Sequence, residues 1–145
     1  MQNAPLDLAF DDLETGHSAR VEWTVAEAEL DAFAALSGDR NPLHMDPDYA
    51  RGRGFPGRVA HGGLLAAKLS GLVGMVLPGR RCLLVDESLE FVAPVLVGDT
   101  VTIAATVKER WPDFSLLKLG IKATKPDAGK NRTVARGSVT CKILY

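Results

Sequence analysis

Between Thr24 and Gly38, apolar residues recur at Val25, Ala28, Ala32, Phe33 and Leu36, the spacing of one helix face. Thr24, with Glu27 three residues on, reads as a capping box that opens this helix, and Gly38 supplies its stop. Ahead of it "SARVEW" reads as a short first strand, while the preceding residues are polar and acidic with little pattern, so residues 1–17 are expected to be loosely ordered. Asp46 can cap a second, short helix that carries Pro47 in its first turn. From Gly62 to Leu77 the chain is apolar nearly all round, which predicts a buried helix ending at Pro78-Gly79. At about 100° per residue, Gly63, Ala66, Ala67, Ser70, Val73 and Gly74 share a small-residue side, and Leu64, Leu65, Lys68, Leu72 and Met75 a bulkier one.

After Cys82 the period drops to two. "CLLVDESLEFV", "DTVTIAATVKERW", "FSLLKLGIKATK" and "TVARGSVTCKIL" are four strand candidates, with "VGD" and "KPDAGKN" as turns. The expected fold is α+β: a first strand, helices, a buried central helix, then four long strands in an antiparallel meander that curls around it. Such a five-stranded sheet has open edges that dimerisation would cover.

Composition narrows the class. The 145 residues suit one domain, 1–145, and 46% hydrophobic with 24% charged residues is the balance of an ordinary soluble protein. A formal net charge of −1 gives no overall drive toward nucleic acid or an anionic membrane. No basic segment followed by an apolar run opens the chain, and the apolar stretch from Leu64 to Leu77 is too short to span a bilayer. Cys82 and Cys141 make neither a disulfide framework nor a metal motif and read as buried free thiols; His17, His44 and His61 lack ligand spacing. The expectation is a cytoplasmic, metal-free protein with no nucleic-acid or membrane partner.

The candidate chemistry lies in "LSGDRNPLHMD", residues 36–46, where Asp39 and His44 flank Asn41-Pro42. Taken alone, Asp39 reads as a turn or cap residue and His44 as a half-buried structural histidine. A rigid loop holding an acid and a base over one substrate is the competing reading.

Three segments turn the balance. "FAALSGDRNPLHMDPDYA" (33–50) is similar to the signature of the R-specific enoyl-CoA hydratases, the MaoC-like or hydratase 2 group of the hotdog fold. "RVAHGGLLAAKLSGLVGMVLPG" (58–79) resembles that family's central helix with its preceding His-Gly, and "SLEFVAPVLVGDTV" (88–101) its following strand and Val-Gly-Asp turn. The resemblance implies a single hotdog domain, a catalytic pair at Asp39 and His44, and a role for Ser70 near the thioester end of the pocket. It also implies substrate contacts from the backbone amides around Gly62 and Gly63. Asn41, Pro42 and His61 are expected to shape the loop. Family members commonly carry larger apolar residues where this chain has Gly63, and apolar ones where it has Lys68.

Adding water across the C2–C3 bond of an enoyl thioester requires water to lose a proton and C2 to gain one. An imidazole and a carboxylate can share those duties through one water. Helix N-terminal amides are suited to hold charge developing on the thioester oxygen. The expected activity is therefore R-specific hydration of trans-2-enoyl thioesters, or the reverse dehydration. Coenzyme A or a carrier protein's pantetheine enters only as part of the substrate, with no other cofactor, and the protein is expected to be a homodimer. An acyl-thioesterase on the same fold and a non-catalytic acyl-binding module are the rival readings. Lys68 is expected to snorkel to a flanking surface, with a subunit contact or a carboxylate partner as the alternative. Arg51, Arg53, Arg58, Arg80 and Arg81 could contact coenzyme A phosphates, although any one of them alone reads as a solvated rim.

Overall fold

Two strands far apart in sequence, β1 (Ser18–Thr24) and β2 (Cys82–Phe91), form the opposite edges of a five-stranded antiparallel sheet. Between them lie β3 (Thr100–Trp111), β4 (Leu116–Asp127) and β5 (Lys130–Ile143), in the order β1-β3-β4-β5-β2. The computed structural model describes residues 4–145. The predicted meander is correct only from β3 to β5. Strand β2 pairs with β5, from Cys82↔Ile143 to Phe91↔Ala135, and β1 takes the place beside β3, from Ser18↔Thr106 to Thr24↔Thr100. Residues 92–99, between β2 and β3, include Pro94 and form a bridge at Val59↔Leu96. They make a crossing connection, longer than a tight hairpin turn. The β4–β5 connection is a tight turn with Ala128 and Gly129 at φ +49° and +80°, the left-handed conformation that such turns require.

Alternation of apolar residues fixes which face of the sheet is inside. Val101, Ile103, Ala105 and Val107 of β3 are fully buried, as are Leu117 and Leu119 of β4. They pack in one core with the long helix α4 (Gly62–Met75), whose Leu64, Leu65, Leu69, Leu72 and Val73 are buried. This is the hotdog arrangement. Burial of α4 is one-sided, however, contrary to the all-round burial predicted. Gly63, Ala67, Ser70 and Gly71 are exposed, because the sheet wraps only the leucine-rich side.

Helix α1 (Glu27–Ser37) starts three residues after Thr24, and Thr24 remains in β1 with its hydroxyl 2.9 Å from that of Thr100. The acid that closes the helix start is Glu29, which accepts from the Ala26 amide at 3.1 Å. Gly38 ends α1 at φ +79°, as expected. Helices α2 (Pro42–Met45) and α3 (Pro47–Gly52) follow, capped by Asn41 and Asp46.

The described part of the N-terminal segment, from residue 4 to residue 17, is anchored rather than loose; residues 1–3 lie outside the described residues. Phe10 and Leu13 are buried in the core, and Leu6 donates to Met75 and accepts from Arg80 through its backbone. Isolated apolar side chains and backbone bonds dock a segment that shows no periodicity.

Candidate active site

The loop after α1 is built by a relay of short polar bonds. Ser37 Oγ donates to the Phe33 carbonyl at 2.7 Å and accepts from the Asp39 amide at 3.1 Å. Asp39 Oδ1 accepts from the Asn41 amide at 3.1 Å, and Asn41 Oδ1 from the Leu43 amide at 3.0 Å. Pro42 then opens α2 with its backbone angle preset. His44, in the last turn of α2, thereby has Nε2 at 3.9 Å from Asp39 Oδ2. Asp39 is thus a turn residue with one oxygen and free to act with the other.

His44 Nδ1 lies 2.7 Å from the Val59 carbonyl. A carbonyl only accepts, so Nδ1 carries a proton, and Nε2 is the ring nitrogen that faces Asp39. The His61 ring stacks on His44 with centroids 4.0 Å apart and planes at 25°. Its Nε2 donates to the Asp39 carbonyl at 3.1 Å. Asp39, His44 and His61 bring one ligand-type atom each within 4.8 Å of one another. They do not fit a metal centre. The His44 and His61 rings are stacked and nearly parallel, so their free nitrogens do not converge on one point.

A cavity of about 400 Å³ opens beside this cluster. It is lined by Phe55, Val59, Ala60, His61, Gly62 and Leu65 on one side and by residues 91–95 and Val134 on the other. Asp39 and His44 are not in its wall. They adjoin it through His61 and Val59. Gly62 and Gly63 begin α4, where first-turn amides lack intrahelical acceptors. The Phe91 ring packs on Gly62 so closely that a Cβ there would lie 3.0 Å from it. Ser70 lies two turns along α4, in a separate shallow hollow with Val73, Gly74, Cys82, Leu84 and Glu87. The structure therefore brings Asp39, Asn41, Pro42, His44, His61, Gly62 and Gly63 together and leaves Ser70 apart.

Two cationic side chains have roles different from those expected. Arg58 is no rim residue: it is buried, donating from Nε to the His44 carbonyl and from its two terminal nitrogens to Glu27 and Asp31. Lys68 takes the alternative reading, a carboxylate partner, in place of snorkelling. Its ammonium hydrogen-bonds Glu29 and lies 5.6 Å from the Trp23 ring centroid. Glu29 also accepts from Trp23 Nε1 at 2.7 Å. Burial pushes the Glu29 carboxyl up, but hydrogen bonds from Lys68, Trp23 and Ala26 outweigh it and hold the group below its ordinary 4.5. Of the other arginines, Arg81 and Arg80 pair with Asp7 and Arg51 with Asp48, while Arg53 lies over the Tyr49 ring. The sequence had not pointed to Phe33, Val59 or Phe91 as site neighbours, since nothing but their apolar character marks them.

The chain matches the MaoC like domain over residues 11–122. It is 39% identical over 134 residues to an (R)-specific enoyl-CoA hydratase of Rhodospirillum rubrum, covering 92% of this chain and 90% of that protein. Over 95 residues it is 47% identical to the (R)-specific enoyl-CoA hydratase of Aeromonas caviae, covering 66% and 71%. The solved (R)-hydratase from A. caviae, involved in PHA biosynthesis, superposes with a TM-score of 0.85 at 37% identity, over 90% of this chain and 97% of that one.

Proposed function

Because this chain belongs to the MaoC-like domain family, we propose that it hydrates trans-2-enoyl thioesters to R-3-hydroxyacyl thioesters and catalyses the reverse dehydration. The observation that carries the reading is the pair itself: Asp39 Oδ2 and His44 Nε2, 3.9 Å apart, each with its second polar atom already tethered. That separation exceeds a direct hydrogen bond and suits one water shared between them. Attack by this water forms the O–C3 bond and releases its proton to one member of the pair. A proton from the pair then forms the C2–H bond, so H and OH add from one face. The pair ends the cycle in its starting state.

Charge that develops on the thioester oxygen falls to the Gly62 and Gly63 amides at the start of α4. One such donor is typically worth about 3 kcal/mol of barrier lowering. Ser70, about 12 Å further along the helix by the helical rise and outside this cavity, takes no part in the step. The reaction is redox-neutral, so coenzyme A or a carrier pantetheine arm enters as part of the substrate alone. Coenzyme A is the handle we favour, because the two relatives named above act on enoyl-CoA. The working form is a homodimer, supported by edge strand β2 with Leu83, Leu84 and Val85 exposed. Free Cys82 and Cys141 suit a reducing, cytoplasmic setting.

The test is loss of the conjugated enoyl-thioester absorbance with crotonyl-CoA. Wild type should produce R-3-hydroxybutyryl-CoA without releasing free thiol. Thiol release without hydration would assign a thioesterase instead. Ligand-induced stabilisation without turnover, on coenzyme A and carrier-protein substrates alike, would leave a binding module.

A further inference from the structure

We propose that His61 is a positioning residue for the Asp39–His44 pair, and that glycine at position 63 admits the third ring, Phe33, that holds it. The proposal rests on the hydratase reading for its activity test, but its geometry is independent of that reading.

His61 is 2% exposed and touches both members of the pair, each in a different way. It hydrogen-bonds the Asp39 carbonyl at 3.1 Å, and its ring face lies 4.0 Å from that of His44. The bond from His44 Nδ1 to Val59 fixes one point of the imidazole and leaves its plane free to turn about that contact. The stack removes that freedom. The bond to Asp39 does the same for the turn, whose own hydrogen bonds are all local. His61 also immediately precedes α4, at its N-cap position and without a side-chain cap bond. It therefore sets the pair in one frame with the amides of Gly62 and Gly63, where the thioester oxygen is to be held.

Phe33 also packs on His61, with ring centroids 4.8 Å apart and planes at 55°. A Cβ at Gly63 would come 2.5 Å from Phe33 Cζ, inside any permitted contact. Gly63 is not at positive φ, so its glycine serves space rather than backbone conformation. A larger side chain there would have to displace Phe33, and with it the support behind His61. Phe33 also carries the carbonyl that anchors Ser37, the acceptor for the Asp39 amide.

A purely structural role would not favour histidine at this position. With Nε2 donating to Asp39, Nδ1 is left a buried acceptor with no partner among the described residues. Phenylalanine would stack equally well without that unpaired nitrogen. What the imidazole adds is the bond to Asp39.

The substitutions His61→Phe, His61→Gln and Gly63→Ala separate these roles, with rates taken per folded molecule. His61→Phe keeps the stack and loses the bond. It should melt no lower than wild type, yet lose roughly 10- to 100-fold in kcat with KM changed by no more than about threefold, the scale of a small misplacement of reacting groups. His61→Gln, whose side-chain N–H can reach the same carbonyl, should recover part of that kcat. Gly63→Ala should lower kcat, and adding Phe33→Leu should restore it by making room. Wild-type kcat in His61→Phe, or in Gly63→Ala, overturns the proposal. If the wild type turns over no enoyl thioester, the hydratase reading fails by itself. The positioning role is then decided by 15N spectra of the three histidines. His44 should keep its Nδ1–H tautomer in both proteins, held by Val59, but its ring signals should broaden through exchange in His61→Ala, and unchanged His44 line widths overturn it.

Discussion

Arg58 Nε donates to the backbone carbonyl of His44 at 2.5 Å, while the same guanidinium reaches Glu27 at 3.1 Å and Asp31 at 2.7 Å. The histidine of the proposed pair thus hangs from α1 on one buried cation. Three acceptors in a fixed fork suit guanidinium and not ammonium. Arg58→Lys should lose about 2 kcal/mol of stability, below the usual cost of breaking a buried pair because both carboxylates are more than half exposed. Arg58→Ala should lose more. Urea unfolding monitored by circular dichroism measures both.

Removing either member of the pair should abolish most turnover without emptying the site. Asp39→Asn and His44→Ala should each lower kcat by at least about 100-fold. Binding of the unreactive butyryl-CoA, measured by calorimetry, should stay within about threefold of wild type. The double variant should be little worse than the poorer single one, as expected for groups acting as a unit. Additive losses would show that the two act in separate steps.

Glu29 should make the link between α1 and α4 acid-sensitive. Its folded-state pKa lies below the ordinary 4.5, so the stabilisation is fully present above that value and is lost as pH falls through the lower, folded one. In a Trp111→Phe background, Trp23 emission should report loosening at pH below about 4.5. Glu29→Gln should remove that component. Lys68→Met should shift it to higher pH, since the largest interaction favouring the carboxylate is gone.

Those residues also mark what could and could not be read in the sequence. Asp39, Asn41 and Pro42 act on neighbours within a few positions, so turn and capping chemistry placed the loop. Gly38 and Asp46 were legible for the same reason. The pairing of Asp39 with His44 came instead from the family resemblance, since His44 is held by Val59, 15 residues away. The Thr24 cap failed because Glu27 and Glu29 compete for one helix start, and only contacts with Trp23 and Lys68 favour Glu29. Arg58, 27 and 31 residues from its carboxylate partners, has no local signature. The position of β2 was equally hidden, since alternation shows which face a strand buries but not which strand lies beside it.

Strand β2 offers the most direct test of assembly. Leu83, Leu84 and Val85 are 53%, 48% and 57% exposed along an unpaired sheet edge. Sedimentation should give the wild type twice the 15.5 kDa mass of the chain. Leu83→Lys with Val85→Glu should give the single-chain mass with an unchanged circular dichroism spectrum. A monomeric wild type would rule out the dimer.

The crossed strand order has a consequence for how the chain is made. Thr24 of β1 meets Thr100, 76 residues later, and β2 can pair only with the last strand. During synthesis the helices and the Asp39–His44 loop emerge long before the sheet that must enclose them. β1 can pair once β3 is out and the β3–β5 hairpins follow, but the β2 edge has to wait for β5. Such distant pairings slow folding, and the β2 edge of the sheet stays unpaired until β5, the last strand, has left the ribosome.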